Sequence, residues 1–167
     1  EILQQTSSKK PQLGLSSELK REAIVIIDFG SQYSRLIARR VREAKVYCEI
    51  IPYYATRASV EHLDCKGFIL SGGPASVYES NAPMVPGWVY DIQLPILGIC
   101  YGMQVMVHQL GGKVRPSQKR EYGHATLHQK ISDIPLFYEL PTSMPVWMSH
   151  GDQISELPSN FVSLAYT

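Results

Sequence analysis

The 167 residues are 44% hydrophobic and 19% charged with a formal net charge of +1, which fits one globular core and lacks the uncompensated basic surplus of a nucleic-acid binder. Three cysteines, at 48, 65 and 100, form neither a disulfide framework nor a Cys-x-x-Cys zinc pair, and no apolar run approaches the roughly 20 residues that span a bilayer. The start, from Glu1 to Lys10, is polar without an apolar signal core, so the composition predicts a cytoplasmic protein with no membrane, nucleic-acid or metal partner.

Residues 1–22 are mixed polar and without period, and are expected to form a flexible leader ahead of a folded domain at 23–167. The run Ala23-Ile24-Val25-Ile26-Ile27-Asp28 is continuously apolar and β-branched, the mark of a strand buried on both faces. Phe29-Gly30-Ser31 then turns the chain, with Ser31 placed to cap a helix. On that helix Tyr33, Leu36, Ile37, Val41 and Ala44 line one face, and Arg35, Arg39 and Arg42 the other. Further strands are predicted at 46–51, 67–71 and 95–100, with helices at 83–90 and at 101–110, the last stopped by Gly111-Gly112. This alternation predicts an α/β fold, a three-layered sandwich with a mainly parallel central sheet flanked by helices. Shorter strands at 113–117, 120–128 and 146–149 predict a short antiparallel extension at a sheet edge.

The sharpest chemical feature is Gly98-Ile99-Cys100-Tyr101-Gly102, where a buried strand meets a helix. A nucleophile on such a turn sits in strained backbone, which requires small neighbours two residues to either side. The helix behind it favours thiolate over thiol and offers a backbone N–H to a developing oxyanion. Ser71-Gly72-Gly73-Pro74 ends another strand at the same carboxyl edge and can present a second N–H. A lone cysteine is more often a small buried hydrophobe, and Gly-Gly-Pro more often a plain turn. Their meeting at the ligand-binding edge of one parallel sheet favours the nucleophile. Cys48 and Cys65 have no such setting and are expected to be structural.

These motifs resemble the class I glutamine amidotransferases. The general pattern is Gly98-Ile99-Cys100-Tyr101-Gly102-Met103-Gln104 with Ser71-Gly72-Gly73-Pro74. The GMP synthetase branch is indicated by Asp28-Phe29-Gly30-Ser31-Gln32-Tyr33, by Gly72-Gly73-Pro74-Ala75-Ser76-Val77-Tyr78 and by Met148-Ser149-His150-Gly151-Asp152. The resemblance implies that Cys100 attacks the side-chain amide of L-glutamine to give a γ-glutamyl thioester and ammonia. It implies an oxyanion hole from the N–H groups of Gly73 and Tyr101, and substrate contacts from Gln104, Ser149, His150 and Asp152. For His150 a satisfied loop histidine remains the bland alternative, and His108 is expected to pack rather than react. The resemblance implies no cofactor in this domain. It implies ATP and Mg2+ in a following synthetase domain of the same chain, which would convert XMP to GMP with the ammonia, and it leaves a homodimer of the full protein open.

One departure is marked. The family's thiol is served by a histidine oriented by a glutamate in a His-Pro-Glu segment, and these residues contain no such segment. The expectation is therefore a domain incomplete at its C-terminus, poorly active alone and with an exposed sheet edge. The rival readings are an amidotransferase of another pathway, a thiol hydrolase of γ-glutamyl compounds, and a catalytically silent glutamine-binding fragment. The stretch 76–86, rich in Ser, Asn and Pro, is a candidate gating loop.

Overall fold

The computed structural model describes residues 19–167, with the side chains of residues 118–122, 149 and 150 outside that description. The predicted leader therefore lies outside the described residues as far as residue 18. Four parallel strands, β1 (Arg21–Asp28), β2 (Cys48–Pro52), β3 (Leu63–Leu70) and β4 (Ile96–Gly98), form a sheet in the order β2-β1-β3-β4. Val25, Ile26 and Ile27 at its centre are 0% exposed, so β1 is covered on both faces. Each such side chain contributes about 2 kcal/mol by leaving water.

The two faces bury different layers. Beneath α1 (Ser34–Glu43), Ile26, Ala38 and Cys48 form a small cluster with Ile24, Ile37, Val41 and Ile69. On the opposite face Val25, Ile27, Phe29, Phe68 and Leu70 pack with residues of α2 (Gly87–Asp91) and α3 (Tyr101–Gln109). Trp88 of α2 meets Phe68 edge-on at 5.7 Å, and its indole N–H donates to the Ala55 carbonyl at 3.0 Å.

The buried stripe of α1 differs from the predicted one. Ser34 and Ala38 face inward with Ile37 and Val41, while Tyr33 and Leu36 are 58% and 45% exposed. The cause is a polar pin: the Ser34 hydroxyl donates to Asp28 Oδ1 at 2.7 Å and fixes the helix rotation. Ser31 does not cap the helix, whose N-cap is Tyr33; its Oγ accepts the Tyr33 N–H at 3.0 Å. The predicted helix at 83–90 shortens to α2, and α3 ends as expected, with Gly111 at φ +92° taking the left-handed step that stops it.

Beyond Gly112 the strands are longer than predicted. β5 (Lys113–Gln129) and β6 (Ser143–Glu156) pair antiparallel, and β7 (Ala165–Tyr166) adds to the other side of β5. They form a sheet of their own rather than an edge of the parallel one. The predicted break after Ser117 is a register irregularity: Pro116 pairs with Asp152, and Glu121 with His150. Proline has no N–H for the ladder, so the irregularity starts where pairing is weakest. On this sheet Trp147 is 68% exposed, with its ring 4.8 Å from His124.

Candidate active site

The carboxyl ends of β3 and β4 carry two turns that meet. At the end of β3, Ser71 is wholly buried; its N–H donates to the Ile27 carbonyl at 3.0 Å. Its Oγ accepts the Phe29 N–H at 3.1 Å and donates to the Gly72 carbonyl at 2.9 Å. Asp28 joins the same corner, its Oδ1 accepting the N–H groups of Gly30 and Ser31 at 2.9 and 3.2 Å. These bonds fix where Gly72 and Gly73 lie. A side chain at Gly73 would place its Cβ 2.8 Å from the Phe29 carbonyl oxygen, so glycine is required by the close approach of two backbones.

The second turn joins β4 to α3. Cys100 sits between them at φ 50°, ψ −115°, a conformation that costs a side-chain-bearing residue of order 1–3 kcal/mol. The surroundings enforce it. The Ile99 N–H is held by the Leu70 carbonyl at 2.9 Å, and the Cys100 carbonyl accepts the N–H groups of Met103 and Gln104 at 3.0 and 3.1 Å. A Cβ at Gly98 would fall 2.7 Å from the Met103 nitrogen, and one at Gly102 would fall 2.3 Å from the Leu70 carbonyl oxygen. The glycine-flanked cysteine is thus a packing necessity: the chain reverses directly over the end of β3.

The turns converge on Cys100. The Cβ direction of Gly72 ends 3.6 Å from Cys100 Cβ, and that of Gly73 ends 3.4 Å from the Tyr101 ring. The N–H groups of Gly73 and Tyr101 have no backbone or side-chain acceptor among the described residues. Cys100 reaches solvent, yet the protein around its sulfur desolvates it, and this burial pushes the thiol above its ordinary pKa. Burial thus opposes the thiolate that the start of α3 is expected to favour. Cys48 is buried and Cys65 half-buried.

The first turn of α3 builds the adjoining wall. Tyr101 is 2% exposed, packs edge-on to Phe29 at 5.5 Å and donates its phenol to the Pro83 carbonyl at 2.7 Å; burial pushes that phenol to about 12. Gln104 is 5% exposed, and its Nε2 donates to the Asp152 carbonyl at 3.1 Å, bringing β6 to the site. The Asp152 carboxylate accepts the Ser76 hydroxyl at 2.7 Å and the Tyr78 phenol at 2.6 Å.

Of the predicted site residues, the structure brings together Gly73, Gly98, Cys100, Tyr101, Gly102, Gln104 and Asp152. Ser149 and His150 lie on β6 opposite Tyr122 and Glu121, and their side chains are outside the described residues. His108, expected to pack, is exposed near the end of α3, and His62 pairs with Glu49 at 3.1 Å. His128 lies against Tyr166 on the antiparallel sheet. The 76–86 stretch is tied down at Asp152, at the Tyr101 phenol and at Val85, whose N–H and carbonyl are both bound by the Gln109 amide at 3.0 Å. Asp28, Ser71, Ser76 and Tyr78 lie inside the motifs that carry the resemblance, yet nothing local shows what their side chains hold, and Gln109 lies outside those motifs. Among the described residues no cluster of three or more His, Cys, Asp or Glu could hold a metal.

Comparison with known proteins agrees with this geometry. Residues 25–167 match the family model of class-I glutamine amidotransferases. The chain is 53% identical over 168 residues to a GMP synthase [glutamine-hydrolyzing] of Dehalococcoides mccartyi, covering 100% of this chain and 32% of that protein. It is 56% identical over 144 residues to the one of Thermomicrobium roseum, covering 86% of this chain and 27% of the relative. The chain thus spans about a third of the length of the curated relatives it matches. Among solved structures, a candidate GMP synthase component from Thermoplasma acidophilum superposes with a TM-score of 0.77 at 30% identity, over 87% of this chain and 72% of that one. A Thermotoga maritima glutamine amidotransferase shares the fold, with a TM-score of 0.64 at 21% identity over 87% of this chain and 66% of that one.

Proposed function

This chain belongs to the class-I glutamine amidotransferases, and we propose that it releases ammonia from L-glutamine through Cys100 for the ATP-dependent amination of XMP to GMP. Cys100 Sγ attacks the side-chain amide carbon, forming a C–S bond while the carbonyl electrons move to oxygen. The N–H groups of Tyr101 and Gly73 receive that oxyanion, a role worth roughly 10²–10³ in rate for each donor. The C–N bond then breaks, the nitrogen leaves as ammonia with an added proton, and water cleaves the γ-glutamyl thioester to glutamate. Gln104 and Asp152, with Ser149 and His150 further along β6, take the α-amino and α-carboxylate groups.

Burial raises the Cys100 thiol, so an external base is needed to form the thiolate. The reading assigns it to the family's His-Pro-Glu segment, which these residues do not contain. It assigns ATP and Mg2+ to a synthetase domain of the same protein, for which the greater length of the relatives leaves room, takes the protein to be cytoplasmic, and leaves a homodimer of the full form open.

The observation that carries the proposal is the strained, glycine-flanked Cys100 beside the N–H groups of Gly73 and Tyr101, which have no acceptor among the described residues. The test follows GMP formation by the full-length protein from XMP, ATP and Mg2+. Wild type should use glutamine or ammonia, and Cys100→Ala only ammonia. Glutamine use by Cys100→Ala would remove the nucleophile, and glutamine hydrolysis without any reaction of XMP would remove the acceptor.

A further inference from the structure

Asp152 is held from two directions. Its carbonyl accepts the Gln104 amide from α3, and its carboxylate accepts Ser76 and Tyr78 from the loop that leaves β3. A carbonyl can only accept, so this bond turns Gln104 Nε2 toward β6 and leaves Oε1 as the acceptor end of the amide. Oε1 has no partner among the described residues. An acceptor-only oxygen suits an ammonium group rather than a carboxylate, and the Asp152 carboxylate has the same preference.

The Asp152 carboxylate can swing about its side chain unless something holds it, and Ser76 and Tyr78 are its only partners among the described residues. Both bonds are charge-assisted and short, the stronger kind. They span 76 and 74 residues of sequence, so they also set how closely the loop approaches β6.

We propose that Ser76 and Tyr78 are positioning residues that lock the Asp152 carboxylate in the orientation that receives the α-ammonium group of glutamine, while the Asp152 carbonyl separately holds the Gln104 amide. This rests on the assignment of Asp152 and Gln104 to glutamine binding. Neither Ser76 nor Tyr78 touches the substrate; they act on affinity and not on the chemical step.

The test measures glutamine KM and kcat of the full-length protein, with ammonia-dependent activity as the control for the synthetase reaction and circular-dichroism melting as the control for folding. Tyr78→Phe should raise glutamine KM about tenfold, leave kcat within about twofold and spare the ammonia reaction, as expected for loss of a hydrogen bond to a charged group. Ser76→Ala should act in the same direction, with Ser76→Thr restoring the wild-type KM. In an Asp152→Ala background Tyr78→Phe should add nothing, because its target is gone. A KM unchanged in Tyr78→Phe but raised in Asp152→Ala overturns the lock and leaves the glutamine-binding assignment standing. A KM unchanged in both overturns that assignment and the lock with it. Additive effects of Tyr78→Phe and Asp152→Ala also overturn the lock.

Discussion

Adding a single methyl group at Gly102 should dismantle the turn that presents Cys100. The new Cβ would lie 2.3 Å from the Leu70 carbonyl oxygen and 2.6 Å from both the Leu70 carbonyl carbon and Cβ. Carbon contacts are comfortable near 3.5–4.0 Å, so the start of α3 must retreat by about 1 Å. Leu70 cannot give way, since it is 0% exposed and its carbonyl holds the Ile99 N–H at 2.9 Å. Overpacking costs about 1–3 kcal/mol where side chains can shift, and here both sides are backbone, so about 3 kcal/mol is expected. For a domain of this size that lowers Tm by about 6–12 °C. Gly72→Ala is the comparison, because its Cβ would meet Cys100 Cβ and Ser31 Oγ at an ordinary 3.6 Å. Thermal unfolding by circular dichroism should separate the two variants, with Gly72→Ala within about 2 °C of wild type. If Gly102→Ala melts with wild type, or Gly72→Ala falls as far, the close approach of α3 to β3 is not what makes glycine necessary.

Other consequences of the same corner are open to measurement. Asp28→Ala removes the acceptor of the Gly30 and Ser31 N–H groups and the Ser34 hydroxyl, and should cost about 2 kcal/mol in urea unfolding; a loss below about 0.5 kcal/mol would show the corner holds without it. Burial pushes the phenols of Tyr90 and Tyr101 to about 12. The folded state then keeps protons that the unfolded chain, with phenols near 10, would release, so stability is full below about pH 10 and falls between about pH 10 and 12. Stability that stays flat across that window would contradict the burial of both rings. The raised Cys100 thiol should make alkylation by iodoacetamide climb through and beyond the ordinary thiol range near pH 8.5, read by mass of the Cys100 peptide; a midpoint well below that value would reveal a thiolate-stabilising partner.

What the sequence disclosed follows from which forces are local. The strand at 23–28 was legible because burial on both faces leaves an unbroken apolar run, and Cys100 because the clash distances at Gly98 and Gly102 admit no other residue. The rotation of α1 was not legible, since a single Ser34–Asp28 bond outweighed a plausible apolar stripe of Tyr33 and Leu36. The length of β5 and β6 was hidden by turn-forming residues inside a ladder that tolerates an irregularity after Pro116. The ties of Ser76 and Tyr78 to Asp152 cross more than seventy residues, and no local pattern encodes a partner that distant.

The two tryptophans give this chain a built-in pair of reporters. Trp88 is packed against Phe68 in the parallel sheet with its indole N–H engaged, whereas Trp147 stands in solvent on the antiparallel sheet beside His124. Their emission therefore divides by wavelength and by access to a dissolved quencher such as iodide, with Trp147 the red, quenchable component and Trp88 the blue, shielded one. Without any label, fluorescence can thus follow which sheet loosens first as the molecule is stressed, and can register separately an event on the face that carries β6.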